Sequence, residues 1–180
     1  MDAMNNTSAS DLLRDGHRKI ETYLDNLIQA LKHLTADQVA GIRENFLAIR
    51  SLESIHFEQE ELVFYPELRP KLPEILALMD REHEAVRETE RSLDELLQSI
   101  PSSPVQRDLD ELHRVGIEFH DAIQVHIVDE EDQLLKVADD LLSSSEQQRL
   151  AADMLQVAAR STISSAGTRN DPYDSNTTCH

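Results

Sequence analysis

An all-α fold, an up-down-up-down four-helix bundle with an additional short C-terminal helix, is what this sequence predicts. Three observations carry the prediction. Helix formers dominate a chain of 180 residues in which glycine (4) and proline (6) are scarce and aromatics make up 4%. Apolar residues recur at spacings of three, four and seven over long stretches. Short polar turns separate those stretches, so neighbouring helices are antiparallel. Strict alternation of β-branched and aromatic residues is rare, which argues against a sheet.

Residues 1–9 read as a flexible tail, and Ser10 or Asp11 offers an N-cap for the first helix. That helix runs to about Leu34 on the stripe Leu13, Ile20, Leu24, Leu27 and Leu31. A turn at Thr35-Ala36-Asp37 leads into a second helix over 37–64, with Ile42, Phe46, Ile49, Leu52 and Val63 on its inner face. Pro66, Pro70 and Pro73 end it and delay a restart. The third helix spans about 74–98 through Leu76, Met79, Val86, Leu93 and Leu97. Pro101-Ser-Ser-Pro104 marks a loop, and the fourth helix starts near Pro104 and reaches about Leu142. The bundle thus occupies 10–142, a further helix 143–162, and a polar tail, expected to be disordered, 163–180. No repeat is evident beyond the succession of helices.

The formal net charge of -18 repels phosphate backbones and anionic membranes, so nucleic acid is an unfavourable partner. No apolar run is long enough to span a bilayer, and the polar N-terminus lacks the regions of a signal peptide. The sole cysteine, Cys179, permits no disulfide within one chain, which suits a reducing cytoplasm; its thiol is open to oxidation. The exposed helix faces leave room for a protein partner or a homodimer.

Histidine placement is the most informative feature. His17, His56, His83 and His126 lie on four different helices, each on its helix's apolar stripe. His33 points about 160° from His17, and His113 and His120 diverge from His126 by about 140° and 120°, so these three face the surface. Glu60 follows His56 by four residues and Glu130 follows His126 by four, about 40° apart on one helix face in each case. Glu58 and Glu61 diverge from His56 and face water; Asp129 and Glu131 are weaker rivals to Glu130. Two ionised carboxylates in an apolar core cost on the order of several kcal/mol each unless cations accompany them. Imidazole suits iron, zinc, copper or nickel, and bridging carboxylates suit a pair of hard cations. Four core-facing histidines, two with an aligned glutamate, therefore point to cations within the bundle rather than to packing alone.

Four segments carry a family resemblance: Asp11-Leu-Leu-Arg-Asp-Gly-His17-Arg, His56-Phe-Glu-Gln-Glu60-Glu-Leu-Val-Phe-Tyr-Pro66, Arg81-Glu-His83-Glu and His126-Ile-Val-Asp-Glu130-Glu. In this order and at these separations, over about residues 10–140, the chain resembles the hemerythrin-like, or HHE cation-binding, family. The resemblance implies that the four histidines ligate two iron ions and that Glu60 and Glu130 bridge them, with a shared oxo or hydroxo group. Unlike the oxygen carriers of that family, this chain has Met79 and Arg87, not histidine, one turn either side of His83. The carriers' second carboxylate falls five residues after the last histidine, where Glu131 stands. The chain is similar to the four-histidine, two-carboxylate branch, which includes iron–sulfur repair factors and iron or oxygen sensors. Four imidazoles, two bridging carboxylates and one shared oxygen fill about ten of roughly twelve octahedral positions, leaving room for O2, NO or peroxide. Glu21 and Glu90 point inward by phase and compete with a solvated-edge placement. The readings that follow are a di-iron protein that binds, senses or reacts with a small oxidant or handles iron, a metal-responsive regulatory module acting through its C-terminal helix, and a metal-free helical scaffold. No nucleophile or general base marks a defined enzyme.

Overall fold

The computed structural model describes residues 7–167, with side chains through residue 161. Most of the expected terminal tails, with Cys179 and His180, lie outside the described residues.

Helix α1 (Ala9–Lys32) begins two or three residues earlier than the sequence suggests. Its N-cap is Ser8, whose hydroxyl accepts from the Asp11 N–H at 3.0 Å. Ser10 is instead buried and bonded to Gln147. A short 3₁₀ turn (Ala36–Gln38) opens α2 (Val39–Gln59). At Glu60–Phe64 this helix widens into a π-turn and then resumes as α3 (Tyr65–Leu68). Pro66 therefore does not end the helix near 64. The Tyr65 N–H reaches back five residues to the Glu60 carbonyl, and the wider turn carries the chain past a proline that has no N–H to place. The extra residue also shifts the stripe: Phe64 and Tyr65 are fully buried, while Val63, expected in the core, is only partly so.

Pro73 occupies the first position of α4 (Pro73–Ser99), as its fixed φ and missing donor favour. Helix α5 (Gln106–Asp129) starts two residues beyond Pro104, where the Asp108 carboxylate accepts from the Val105 N–H at 3.1 Å. It too passes through a π-turn, Glu130–Leu135, into α6 (Lys136–Leu141). The last helix, α7 (Ser144–Gly167), is as long as α1, not short.

Chain direction follows from the core. One apolar cluster joins the end of α1 (Leu27, Leu31) and of α4 (Leu93, Leu97) with the start of α2 (Val39, Ile42) and of α5 (Leu109, Leu112). A second joins the starts of α1 and α4 (Leu13, Met79) with Phe64, Tyr65, Leu134 and Leu135 beyond the π-turns, and with Leu150 and Met154 of α7. Successive long helices therefore run antiparallel. Between the two clusters lies a layer of buried polar side chains. Among the described residues no helix is long and apolar enough to cross a membrane.

Candidate metal centre

All six sequence-selected side chains meet in that layer, and none is more than 3% exposed. His17 comes from α1, His56 from α2, His83 from α4 and His126 from α5; Glu60 and Glu130 are the first residues of the two π-turns. Atoms of His17, His56, Glu60 and Glu130 lie within 4.8 Å of one another, and so do atoms of Glu60, His83 and His126. Glu60 belongs to both groups.

The inward atoms are close but misaligned. His56 Nε2 is 2.8 Å from Glu60 Oε1, His83 Nε2 is 3.1 Å from Glu60 Oε2, and His17 Nε2 is 3.0 Å from Glu130 Oε2. Yet His17 Nε2, His56 Nε2, both Glu60 oxygens and Glu130 Oε2 make no hydrogen bond of acceptable geometry. His83 Nε2 and His126 Nε2 stand 3.2 Å apart, and at most one nitrogen of such a pair can donate to the other. Buried polar atoms are rarely left so. Donors aimed past one another at common points are what cation ligation produces, and nitrogen with carboxylate oxygen, without thiolate, fits iron.

Three outer ring nitrogens are held by carboxylates, one of which, Glu61, the sequence reading placed in water. Glu61 Oε1 accepts from His83 Nδ1 at 2.6 Å and also meets Arg87 at 2.5 Å. Glu131 Oε1 accepts from His17 Nδ1 at 2.8 Å and meets Arg18. Glu61 is thus not simply a water-facing residue, and Glu131 grips a histidine from outside while Glu130 points inward. Glu82 Oε2 lies 3.3 Å from His126 Nδ1. Carboxylates in this place fix ring orientation and direct the other nitrogen inward.

These contacts expose a two-fold plan that residue identities hide. The pair α1/α2 and the pair α4/α5 each supply one lone histidine, one H-x-x-x-E-E run and one π-turn. The second glutamate of each run reaches the lone histidine of the other pair. The plan is broken in several places, four of them beside the clustered side chains. Gly16 stands where Glu82 would repeat, Tyr65 opposes Leu135, Glu53 opposes Ile123, and Glu90 opposes Leu24.

Tyr65 was not anticipated as a site residue. It is fully buried, donates to Glu130 Oε1 at 3.1 Å and lies 3.2 Å from His83 Nε2. Burial and the charges of Glu130 and Glu60 push its phenol well above the usual range, so it keeps its proton. Phe57 stacks on the His83 ring at 3.8 Å. Glu21 and Glu90 sit at the edge, paired with Arg18 at 3.0 Å and Arg50 at 2.9 Å. His33 and His113 are exposed, and His120 is half-buried beside Asp121.

Electrostatics matches the crowding. Burial works against charge on Glu60, but His56 and His83 outweigh it and hold that carboxyl well below the usual range. Burial likewise opposes protonation of His83, yet Glu60 and Glu61 push it up to about 9. His17 is raised against its burial, chiefly by Glu130. Neighbouring carboxylates thus favour the protonated forms of His83 and His17.

A family model described as Hemerythrin HHE cation binding domain matches residues 8–138, well over half of the chain and all six clustered residues. No curated protein and no solved structure matches.

Proposed function

Because the chain belongs to the hemerythrin HHE cation-binding family, we propose that it holds two iron ions, with His17, His56, His83 and His126 as ligands and Glu60 and Glu130 bridging. The centre binds, senses or reacts with a small oxidant such as O2, NO or peroxide, or handles iron. One observation carries the proposal: six buried side chains from four helices bring nitrogen and oxygen atoms to shared points, with inward atoms of His17, His56, Glu60 and Glu130 left unpaired, while three of the histidines are gripped from outside by carboxylates.

Bound iron would supply redox chemistry and an open position for a small ligand. This chain's own residues do the rest. Glu61, Glu82 and Glu131 orient imidazoles and accept from their outer nitrogens, so that the inner nitrogens are the ones turned toward a cation. Phe57, stacked on His83, and the apolar clusters on either side of the layer exclude bulk water. Tyr65 holds a proton at its Oη between Glu130 and His83, where an anionic small molecule can accept a hydrogen bond.

Anaerobic ferrous loading of the purified chain tests this. About two irons per chain, and a ferric charge-transfer band in the near-ultraviolet on admitting air, are expected. Reversal on removing air separates carriage from oxidation. A fold that takes up no iron sinks the reading.

One set of contacts favours a regulatory role beside it. Gln59, next to Glu60, donates to the Met154 carbonyl of α7 at 3.1 Å, and Ser161 donates to Glu58. Removing 144–167 is expected to leave metal binding intact and to abolish binding of any protein partner.

A further inference from the structure

Helix α7 breaks the two-fold plan on the outside of the bundle, because it covers one helix pair and not the other. It lies along α1 and α2. Its Gln147 bonds to Ser10 at the start of α1, its Met154 carbonyl accepts from Gln59 at 3.1 Å, and its Ser161 donates to Glu58. Leu155 and Ala158 of α7 share one cleft with Gly16 and Lys19 of α1 and with Leu52 and Ile55 of α2. Counted from the histidines, those last four correspond to Glu82, Ala85, Ala122 and Val125 of the other pair. There they line a groove of about 440 Å³ between α4 and α5, with the carboxylates of Glu118 and Asp121 beside them. No residue of a third helix lines this groove among the described residues.

The difference shows in exposure. Ile55, beside α7, is half-buried, whereas its counterpart Val125 is 54% exposed and Val128, one turn on, 48% exposed. Branched apolar residues grouped on one helix face and rimmed by polar ones mark a surface that another chain covers. The equivalent face of the first pair receives a helix. Here Ala122 replaces Leu52 and Ala85 replaces Lys19, so a helix in this groove could approach more closely. Charge narrows the partner. Three carboxylates line the groove and no lysine or arginine does. Asp121 is 66% exposed; Glu118 is 52% exposed and holds Arg114 at 2.6 Å. A second copy of a chain with net charge -18 is repelled from such a face. The chain's own ends are unsuited by composition: residues 1–6 carry one acid and no base, and 168–180 carry one arginine and two aspartates.

We propose that the α4/α5 groove docks a basic amphipathic helix of a partner protein, in the place that α7 takes on the other helix pair. Apolar residues of that helix, three and four apart, seat against Ala85, Ala122 and Val125. Lysine or arginine on its flanks meets Glu118 and Asp121, which sets orientation and selects against acidic partners. Glu82 lines the groove and its Oε2 lies 3.3 Å from His126 Nδ1, so the docked helix rests one side chain from the buried cluster. Docking needs no metal ion and stands apart from the iron-binding reading.

The test titrates the full chain, free of metal, into a fluorescent peptide of about 18 residues, or five helical turns. The peptide carries a leucine stripe flanked by lysines. One control has glutamate for every lysine, and another has the same residues scrambled. Fluorescence anisotropy should show the lysine peptide binding at least about tenfold more tightly than either control, and less tightly as salt is raised. Val125→Lys and Ala122→Lys should each weaken it about tenfold or more. Leu47→Lys, at a comparably exposed leucine outside the groove, should change nothing. Circular dichroism establishes that each variant is folded, and Ala85→Lys, at an exposed position, replaces either groove variant that is not. Failure of the lysine peptide to bind overturns the proposal, and so does binding that survives the groove substitutions or is matched by the glutamate peptide. A wild-type dimer in sedimentation that Val125→Lys dissociates overturns it too, because a second copy then covers the face.

Discussion

Gly16 and Glu82 each stand one residue before the lone histidine of their helix, and they meet the opposing histidine in opposite ways. Glu82 grips His126 Nδ1 at 3.3 Å. Gly16 offers nothing, and a Cβ there would lie 2.6 Å from His56 Nδ1. His56 is consequently met by close backbone approach, with its Nδ1 buried and unpartnered, so the two ends of the cluster differ in what holds their histidines.

Gly16→Ala is expected to push the His56 ring aside. Alanine gains about 0.5–1 kcal/mol of helix propensity over glycine, but overpacking against a rigid ring costs about 1–3 kcal/mol. Urea unfolding of the metal-free variant should show a net loss, and a Co(II) titration should show about tenfold or greater weakening. A variant that melts higher and binds as tightly would show that the ring moves freely.

Glu61→Gln and Glu131→Gln test the crossed braces. Each should lower metal affinity about 10- to 100-fold, because a neutral amide holds the Nδ1–H of His83 or His17 less well. Glu84→Gln, on the exposed face of α4 beside Arg91, should change nothing. Equal titrations for all three would mean that the braces only decorate the surface.

Much of this centre was legible in the sequence. The four histidines share phase with the apolar stripes of their helices, and burial obeys that phase. The i+4 glutamates follow from the same geometry. Glu61 and Glu131 escaped because phase was counted on ideal α-helices, whereas both follow the first residue of a π-turn. That turn rotates the chain and lets a side chain at the helix margin reach across to the next helix. Tyr65 escaped for the same reason: on an ideal helix it faces away from His56. Pro66 immediately after it was the available signal, since a proline within a continuing helix demands a local change in hydrogen bonding. Glu53 lay on the inner stripe by phase, four before Phe57, but a lone acidic residue there looks like an edge position until its partners are counted.

Tyr65→Phe removes the hydroxyl that donates to Glu130 Oε1. A buried acceptor left unpaired costs about 1–3 kcal/mol, so metal-free protein should lose that much in urea unfolding. Metal-loaded protein should lose less if Glu130 is then held by the cation. An identical loss in both states would place Tyr65 outside the metal's influence.

Glu53 makes stability depend on pH with a definite sign. Its carboxyl ionises near 4.5 when unfolded and well above that when folded. Above about pH 4.5 the unfolded chain releases a proton that the folded one keeps, so stability falls as pH rises toward the folded value. Glu53→Ile removes this contribution. Its stability advantage over the metal-free wild type should therefore be small at about pH 4.5 and grow by pH 8. A constant difference would show that Glu53 is ionised in the native state.

Glu60 and Glu130 look alike in sequence, but their surroundings are unequal. Glu60 lies in both groups of potential ligands, with His17 and His56 on one side and His83 and His126 on the other, whereas Glu130 lies only in the first. Its second oxygen is engaged by Tyr65. Glu60→Gln should accordingly remove a donor from both metal positions and reduce iron to a small fraction of one ion per chain. Glu130→Gln should leave Glu60, His83 and His126 assembled and retain about one ion. Metal analysis after gel filtration reads both outcomes directly. Equal losses in the two variants would mean that the bridges act as an inseparable pair, and that the asymmetry set by Tyr65 and Gly16 does not reach the metals.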